Sequence, residues 1–219
     1  GCAHLAEPPC LARTDAEITA FVRRYADSMP LIVAIDAPLH VPNITGKRLG
    51  DALISKVFGR YGAGAHPANR TLLSKYNGGV LRGEQLIAQL AALNILHTPY
   101  LVAQQAVRCA FEVYPHAAMI GLFKLPRALR YKRKSGLSRA DQETAWQQYA
   151  HHLRTLTAAT PPLNLPESLL DVTWCKAEED KRDALLCAYI ALHYWQHGSA
   201  FWQVYGTLEA GYIVAPRLA

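Results

Sequence analysis

The stretch LIVAIDAPL, residues 31–39, indicates the fold class of the chain more clearly than any other. Its first five residues are apolar and three of them are β-branched, which is typical of a strand buried on both faces. Pro38 then takes the backbone out of the hydrogen-bonded ladder. Ligands gather at the carboxyl ends of strands in open α/β sheets, so Asp36 marks a candidate site. A turn closed by the Asp36 side chain explains the same residue equally well.

A second stretch, CAFEVYP at residues 109–115, repeats this pattern of a short apolar strand, an acid near its end and a proline. Elsewhere apolar residues recur at helical spacing, and Thr14 and Glu17 form a capping box at the start of the first helix. The predicted helices span about residues 14–27, 47–61, 83–95, 116–123, 138–158 and 177–197, a long loop spans 62–80, and tail strands at 201–205 and 212–215 form a hairpin. Alternating strands and helices predict an α/β protein.

The 219 residues are 51% hydrophobic and 18% charged, which favours a well-buried globular chain and argues against disorder. We expect one domain over residues 1–219, with a helical and basic insertion at about 115–160. No apolar run is long enough for a membrane span, and no signal peptide pattern is present. The five cysteines include no CxxC pair, which favours free thiols in a cytoplasmic protein without a membrane partner. The oligomeric state is left open.

Positive charge is concentrated in one part of the chain. The formal net charge is +6, and residues 124–139, termed the basic segment, contain seven basic residues and no acidic residue before position 140. They are Lys124, Arg127, Arg130, Lys132, Arg133, Lys134 and Arg139. Such a segment is typical of a surface that faces phosphate groups, and it predicts nucleic acid as a partner. A loop whose basic side chains are merely solvated is the alternative.

Acidic residues also lie on the apolar face of the last predicted helix. The apolar stripe continues backwards at helical spacing through Asp183, and then through Asp180 or Glu179. The helix dipole accounts for acids in the first turn, but Asp183 lies more than a turn inside the helix. Together with the strand-end acids, it completes a predicted carboxylate trio of Asp36, Glu112 and Asp183.

Such a trio predicts a metal site with catalytic carboxylates. Clustered carboxylates repel each other unless a cation neutralises them, and oxygen ligands of this kind suit Mg²⁺ or Mn²⁺. A pair of these ions can activate water and stabilise the leaving oxygen in phosphodiester cleavage. The expected reaction is therefore hydrolysis of a phosphodiester.

Several strings of the sequence, taken in order, resemble one known family. They are VAIDAPL (33–39), KRLGD (47–51), GAGAHPANR (62–70), GGVLRG (78–83), FEVYPHA (111–117), RYKRK (130–134), EDKRDALLCAYIA (179–191) and EAGYIVAP (209–216). The family is catalogued as domain of unknown function 429, and its members are described as predicted nucleases with a ribonuclease-H-like fold. The resemblance spans about residues 14–216.

The resemblance implies a ribonuclease-H-like fold, with a mixed five-stranded sheet in the order 3-2-1-4-5, helices on both faces, a helical insertion and a C-terminal β-hairpin. Residues 31–36 would be the fourth strand and 109–114 the fifth. The family normally begins with a strand whose aspartate is a further metal ligand, and the sequence has no such segment. We therefore expect that one or more N-terminal strands are missing from the sequence.

The resemblance also assigns candidate roles to particular residues. Metal ligands are expected at Asp36, Asp183, Glu112 and Asp180. Phosphate or nucleic acid is expected to bind Arg48, Arg60, Arg82, Arg130, Lys132, Lys134 and Arg139. Asp51 and His116 are expected to support them. An ion pair of Arg48 and Asp51 on a helix surface and a helix cap formed by His116 are the alternatives.

These features favour a metal-dependent nuclease that uses Mg²⁺ or Mn²⁺ to hydrolyse nucleic acid. The main alternative is a catalytically inactive module of the same fold that binds nucleic acid or a partner, because the first carboxylate of the family is absent from the sequence. A phosphotransferase related to the actin-like ATPases is disfavoured, since the sequence lacks their paired glycine-rich phosphate loops.

Overall fold

A computed structural model describes residues 1–76 and 78–218 of the chain. Within that part, the helices are α1 (Asp15–Arg23), α2 (Leu49–Phe58), α3 (Arg70–Leu73), α4 (Arg82–Ala91), α5 (Pro115–Leu122), α6 (Arg139–Thr155), α7 (Glu167–Leu170) and α8 (Lys176–His197). The strands are β1 (Leu31–Ile35), β2 (Leu96–His97), β3 (Arg108–Glu112), β4 (Trp202–Thr207) and β5 (Gly211–Pro216). Of the helices in these described residues, none combines the length and the apolar character that a membrane crossing needs.

The mixed α/β character predicted from the sequence is confirmed, and the main helices lie within a few residues of their predicted bounds. The long loop predicted for residues 62–80 is interrupted by α3. Its N-cap is Asn69, whose side-chain oxygen accepts the Leu72 N–H at 2.9 Å, so a short polar residue starts a helix inside a loop-like sequence. Asn77 of the same loop lies outside the described residues.

The sheet differs from the expected one. In the described residues, the parallel sheet has three strands in the order β1-β3-β2, while β4 and β5 form a separate antiparallel pair. The expected five-stranded sheet in the order 3-2-1-4-5 is therefore wrong for this structure. The residues before α1 contain Pro8 and Pro9 and make a single isolated bridge, from Ala3 to Leu163. A segment of this composition does not extend a ladder, and β1 is left at the edge of the sheet.

Alternate residues of β1 face two different hydrophobic cores. Ile32 and Ala34 pack against the larger core, which contains most of the buried face of α8. Leu31, Val33 and Ile35 pack against the smaller core, which lies under α1 and α4. β1 therefore packs apolar side chains on both of its faces, but all five of its residues are only partly buried, because the strand lies at the edge of the sheet. The same alternation directs the residue after Ile35 towards the α8 side.

Helix α2 lies directly on the C-terminal hairpin. All six residues of β5 are buried, and Gly50 in the first turn of α2 faces the strand. A Cβ at Gly50 would lie 2.8 Å from the Tyr212 backbone, which is too close for any other residue. Glycine is therefore required here by the close approach of the helix, and the contact fixes the start of α2.

A buried network of charged groups joins the start of α2 to the end of β3. The Arg48 guanidinium donates to both Glu112 oxygens at 2.7 and 2.8 Å and to Asp51 Oδ1 at 2.7 Å. Glu112 Oε2 also accepts the Leu39 N–H at 3.0 Å, and Asp51 Oδ2 accepts the Ala68 N–H at 2.9 Å. One arginine and two carboxylates thus hold the loop after β1 and the loop before α3.

We predict that Arg48→Met destabilises the protein by about 3 to 5 kcal/mol, because it leaves two carboxylates buried without their counter-charge. Urea unfolding followed by tryptophan fluorescence gives the free energy of unfolding. The control is Arg82→Met, which removes an ion pair with Asp15 that is half exposed and is expected to cost about 1 kcal/mol or less.

If Arg48→Met does not fold, Glu112→Gln provides the same comparison, since it keeps the volume of the side chain and removes one charge of the network. Equal losses of stability for the variants of Arg48 or Glu112 and for Arg82→Met would show that the buried network does not hold α2 to β3.

Candidate carboxylate site

The end of β1 and the helix α8 bring Asp36 and Asp183 to the same side of the sheet. Asp36 follows Ile35 directly and continues the face of β1 that packs towards α8. The negative charge of Asp183 acts on the Asp36 carboxyl group, and the Lys132 ammonium pairs with Asp183 and acts on Asp36 as well. Asp36, Lys132 and Asp183 are together termed the carboxylate site. They come from a strand end, the basic segment and a helix.

Asp183 is held in place through both of its oxygens. Its Oδ1 accepts the hydroxyl of Tyr131 at 2.7 Å and that of Tyr149 at 3.4 Å. Its Oδ2 pairs with the Lys132 ammonium at 2.8 Å. Both tyrosines are buried, so their hydroxyl groups replace water around the carboxylate and fix its orientation.

Asp36 is bound less completely. The residue is exposed to solvent, and no protein group in residues 1–76 and 78–218 donates a hydrogen bond to its carboxylate. Protein atoms packed nearby nevertheless reduce the hydration of its carboxyl group. This burial raises the pKa of Asp36 to about 6, with Lys132 opposing the rise and Asp183 adding to it. The result is a carboxylate with a poorly compensated charge.

Lys132 pairs directly with Asp183, and its positive charge also acts on Asp36. Burial disfavours its charged form, but the ion pair and hydrogen bond with Asp183 outweigh this effect and raise the pKa of Lys132 above its ordinary value. Burial raises the pKa of Asp183, and the same ammonium opposes that rise. One ammonium therefore pairs with Asp183 and acts at longer range on Asp36.

A second charged group lies at the start of α8. Lys176 Nζ is 2.7 Å from an oxygen of Glu179 and 2.7 Å from an oxygen of Asp180. Glu179 is buried and also accepts the Trp174 Nε1–H at 3.1 Å, whereas Asp180 is half exposed. Asp180, expected as a metal ligand, thus lies on the helix surface with a lysine partner. The charge of Glu179 acts on Lys132 and raises its pKa.

His116 borders the carboxylate site as a neutral ring. It stacks on Tyr131 with ring centroids 5.4 Å apart, and its centroid is 5.6 Å from that of Tyr114. Burial lowers the pKa of His116 to about 3, and the positive charge of Lys132 contributes to the lowering. The loop that begins at residue 62 closes over this side, since Tyr114 Oη donates to the Gly64 carbonyl at 3.3 Å.

Three of the predicted site residues lie elsewhere. Glu112 pairs in register with Ile35, so it belongs to the opposite face of the sheet from Asp36. It is buried with Arg48 and Asp51 in the network described above, and the structure does not bring it to Asp183. The alternative of a surface pair for Arg48 and Asp51 is wrong, because both side chains are buried. Their hydrogen bonds leave no side for a phosphate to approach.

The basic segment is open to solvent apart from a few anchors. Leu125, Leu129 and Tyr131 are buried and hold it to the core. Exposed basic residues alternate with these anchors, and in the described part of the chain none of them has a carboxylate within ion-pair distance: Lys124, Arg127, Arg130, Arg133, Lys134 and Arg139. The segment therefore presents uncompensated positive charge beside the carboxylate site.

Arg60 lies beside the basic segment, and Arg82 lies near the loop that follows Asp36. Arg60 stacks on Tyr61 at 4.8 Å, and the Tyr61 carbonyl accepts the N–H of Ala128 at 2.7 Å, so Arg60 extends the basic surface. Arg82 pairs with Asp15 at 2.7 Å. It lines a depression of about 580 Å³ next to the loop that follows Asp36.

The donor set fits a divalent cation bound by few protein ligands. Mg²⁺ is commonly held by one or two carboxylates, with water and substrate phosphate oxygens completing its shell. Asp36 and Asp183 supply this number, and the lack of a protein hydrogen bond to Asp36 leaves its oxygens available. Across residues 1–76 and 78–218, no three His, Cys, Asp or Glu side chains are placed to share a metal ion. The expected carboxylate trio is thus present as a pair.

The sequence analysis missed Tyr131 and Tyr149, which orient Asp183. A tyrosine between two basic residues in RYKRK is a signal for Tyr131, because an aromatic residue in such a segment is commonly an anchor. It also missed Arg182, a buried guanidinium that lies 3.3 Å from the Trp146 ring and donates to the Leu170 carbonyl at 3.0 Å. Arg182 joins α6 and α7 to α8 next to Asp183. The spacing of apolar residues in α8 does not indicate that Arg182 is buried.

Comparisons with known proteins identify a family and nothing more specific. The model of a family described as "Protein of unknown function (DUF429)" matches residues 2–205. This range includes the carboxylate site, the basic segment and the Arg48 network. No curated protein and no solved structure gives a significant match to the chain.

We predict that the Asp36 carboxyl group titrates near pH 6 and that its neighbours shift it in opposite directions. Lys132→Met removes a nearby positive charge and raises the pKa of Asp36, while Asp183→Asn removes a negative charge and lowers it. Carboxyl ¹³C NMR over pH 3–9 measures both shifts. Lys134→Met is the control and leaves the pKa unchanged. Equal pKa values in all four proteins would place Asp36 away from the other two residues.

Proposed function

The chain belongs to the DUF429 family, and from the geometry of its carboxylate site we propose that it is a divalent-metal-dependent phosphodiesterase that acts on nucleic acid. The observation that carries the proposal is the placement of Asp36 and Asp183 on the same side of the sheet at the end of β1, where the charge of Asp183 acts on Asp36, whose oxygens have no protein donor in the described residues. Carboxyl ends of parallel strands are the usual place for such sites in α/β proteins.

Each residue of the site has a separate role in the proposed reaction. Asp36 and Asp183 hold the cation, which is Mg²⁺ or Mn²⁺, and the two tyrosines that bind Asp183 keep that carboxylate in one orientation. When bound, such a cation polarises a phosphodiester and lowers the pKa of a coordinated water. Lys132 supplies positive charge close to the position of the phosphate, and the neutral His116 ring excludes water from one wall.

The basic segment supports nucleic acid as the substrate. Its exposed arginines and lysines lie next to the carboxylate site and have no carboxylate partners in the described residues, so they are available to phosphates of a longer chain. Arg60 continues this surface on the side of residue 128. We propose that the activity is cytoplasmic, a proposal supported by the free state of all five cysteines.

A binding module without catalysis is the second candidate. The observation in its favour is that the Lys132 ammonium already neutralises Asp183 at 2.8 Å, so this carboxylate is compensated without a metal. In that case the basic segment binds nucleic acid and the carboxylates only position Lys132.

We predict that the protein binds Mn²⁺ in isothermal calorimetry and that Asp36→Asn and Asp183→Asn each abolish this binding, because each removes one of two anionic ligands. Asp171→Asn is the matched control: Asp171 is exposed, pairs with Arg154 and is expected to leave the affinity unchanged. Thermal unfolding of each variant shows that it is folded.

The same proteins are then assayed for Mg²⁺-dependent cleavage of single-stranded and double-stranded DNA and RNA. Cleavage that requires both aspartates supports the phosphodiesterase. Nucleic-acid binding without Mn²⁺ binding by the folded wild-type protein contradicts it and favours the binding module.

We predict that Arg133→Gln combined with Lys134→Gln weakens nucleic-acid binding and reduces the slope of log K against log salt concentration by roughly 1.4 to 1.8, since two phosphate contacts are lost. Fluorescence anisotropy with a labelled 20-mer at several KCl concentrations measures the slope. The control is Arg23→Gln with Lys56→Gln, which removes the same charge from α1 and α2. If both double variants change the slope equally, net charge and not the basic segment governs binding.

A further inference from the structure

The two oxygens of Asp183 are occupied in different ways. Oδ1 accepts hydroxyl groups from Tyr131 and Tyr149, which are both buried and fixed by the surrounding core. Oδ2 faces Lys132, whose side chain is 30% exposed and lies on a loop. A cation that is bound by Asp183 in the orientation the tyrosines impose must therefore approach Oδ2, where the ammonium now lies.

The positive charge of Lys132 also acts on Asp36. It opposes the effect of burial on the Asp36 carboxyl group, and the described residues offer Asp36 no hydrogen-bond donor. The ammonium thus pairs directly with Asp183 and compensates part of the charge of Asp36. Lysine is suited to such a replaceable role because its charge is compact, its stem is flexible and its contacts are few.

The chain around Lys132 allows it to leave without disturbing the core. Tyr131 is anchored on one side, where Gln142 Nε2 donates to its carbonyl at 3.0 Å. Ser138 is anchored on the other side as the N-cap of α6. Between these anchors the basic segment is irregular, and residues 133–136 are exposed. Residues 132–137 therefore form a surface loop between two fixed points.

We propose that Lys132 is a displaceable counter-ion: a divalent cation that binds Asp36 and Asp183 expels the ammonium, and residues 132–137 are released to bind phosphate groups of the substrate. This inference rests on the metal site of the proposed function. It adds that metal binding and the conformation of the basic segment are linked, so each changes the equilibrium of the other by the same factor.

The linkage predicts that the cation binds before Lys132 becomes available to the substrate. Before the cation binds, the ammonium neutralises the carboxylates and is held away from nucleic acid. After the cation binds, Lys132 lies with Arg133 and Lys134 on the exposed side of the segment, next to the bound cation. Substrate affinity therefore rises when the metal is present, and metal affinity rises when the substrate is present.

Calorimetry with Mn²⁺ on the full chain tests the competition. Lys132→Met removes the competing ammonium, so its Kd for Mn²⁺ is expected to fall by about tenfold relative to the wild type. Lys56→Met is the matched control: it removes an exposed lysine charge from α2, away from the site, and is expected to bind Mn²⁺ as the wild type does. A similar gain of affinity in both variants would indicate a general effect of charge and would overturn displacement.

Hydrogen–deuterium exchange on the wild-type protein tests the release without any substitution. Saturating Mg²⁺ is expected to increase amide exchange in residues 132–137 and to leave the core of α8 unchanged, and KCl at equal ionic strength is the control. In Lys132→Met the segment is expected to exchange quickly with or without Mg²⁺.

The outcomes separate this inference from the proposed function. Wild-type binding of Mn²⁺ that Lys132→Met does not strengthen, or binding of Mg²⁺ that leaves exchange of residues 132–137 unchanged or lower, overturns the displacement and keeps the metal site. Absence of Mn²⁺ binding in both the wild type and Lys132→Met overturns the metal site and the displacement together.

Discussion

The buried contact of Arg48 with Glu112 is the interaction on which the rest of the structure depends. Burying three charged groups is costly unless their hydrogen bonds are complete, and here every carboxylate oxygen of Glu112 and Asp51 accepts bonds from the protein. The network joins α2 to β3 and, through the Leu39 N–H, fixes the loop that leaves β1. The close contact of Gly50 with the hairpin holds α2 from its other side. The position of Asp36 follows from these constraints.

Asp36 and Glu112 lie at the ends of neighbouring strands but in different surroundings, because successive side chains of a strand point to opposite faces of the sheet. Ile35 and Glu112 are in register, and Asp36 comes one residue later, so the two carboxylates point to opposite faces. On one face Glu112 meets an arginine and becomes part of the framework. On the other face Asp36 meets Lys132 and the end of a helix that carries Asp183. A shift of one residue along the chain separates a structural acid from a candidate functional one.

The sequence predicted much of the local structure and only part of the arrangement. The apolar run of β1, the capping box at Thr14 and the hairpin are local signals, and the structure confirms those elements. The order of the strands depends on which segments pair, and the expected order came from a resemblance instead of from the residues. The grouping of Glu112 with Asp36 failed for a related reason, since the register of two strands is a tertiary property. Asp183 was identifiable because helical spacing alone places it on a buried face.

The Arg48 cluster and the Lys132 cluster each combine a cation with carboxylates, and their different surroundings indicate where chemistry is to be expected. The Arg48 cluster is closed: its guanidinium binds both carboxylates through several hydrogen bonds, and each side chain is buried. The Lys132 cluster is open: its ammonium binds Asp183 directly, and Asp36 keeps oxygens without a protein donor in the described residues. Planar arginine suits a permanent bridge, whereas lysine, with a compact charge on a flexible stem, suits an exchangeable one. The same charges thus form a framework on one face of the sheet and a candidate cation site on the other.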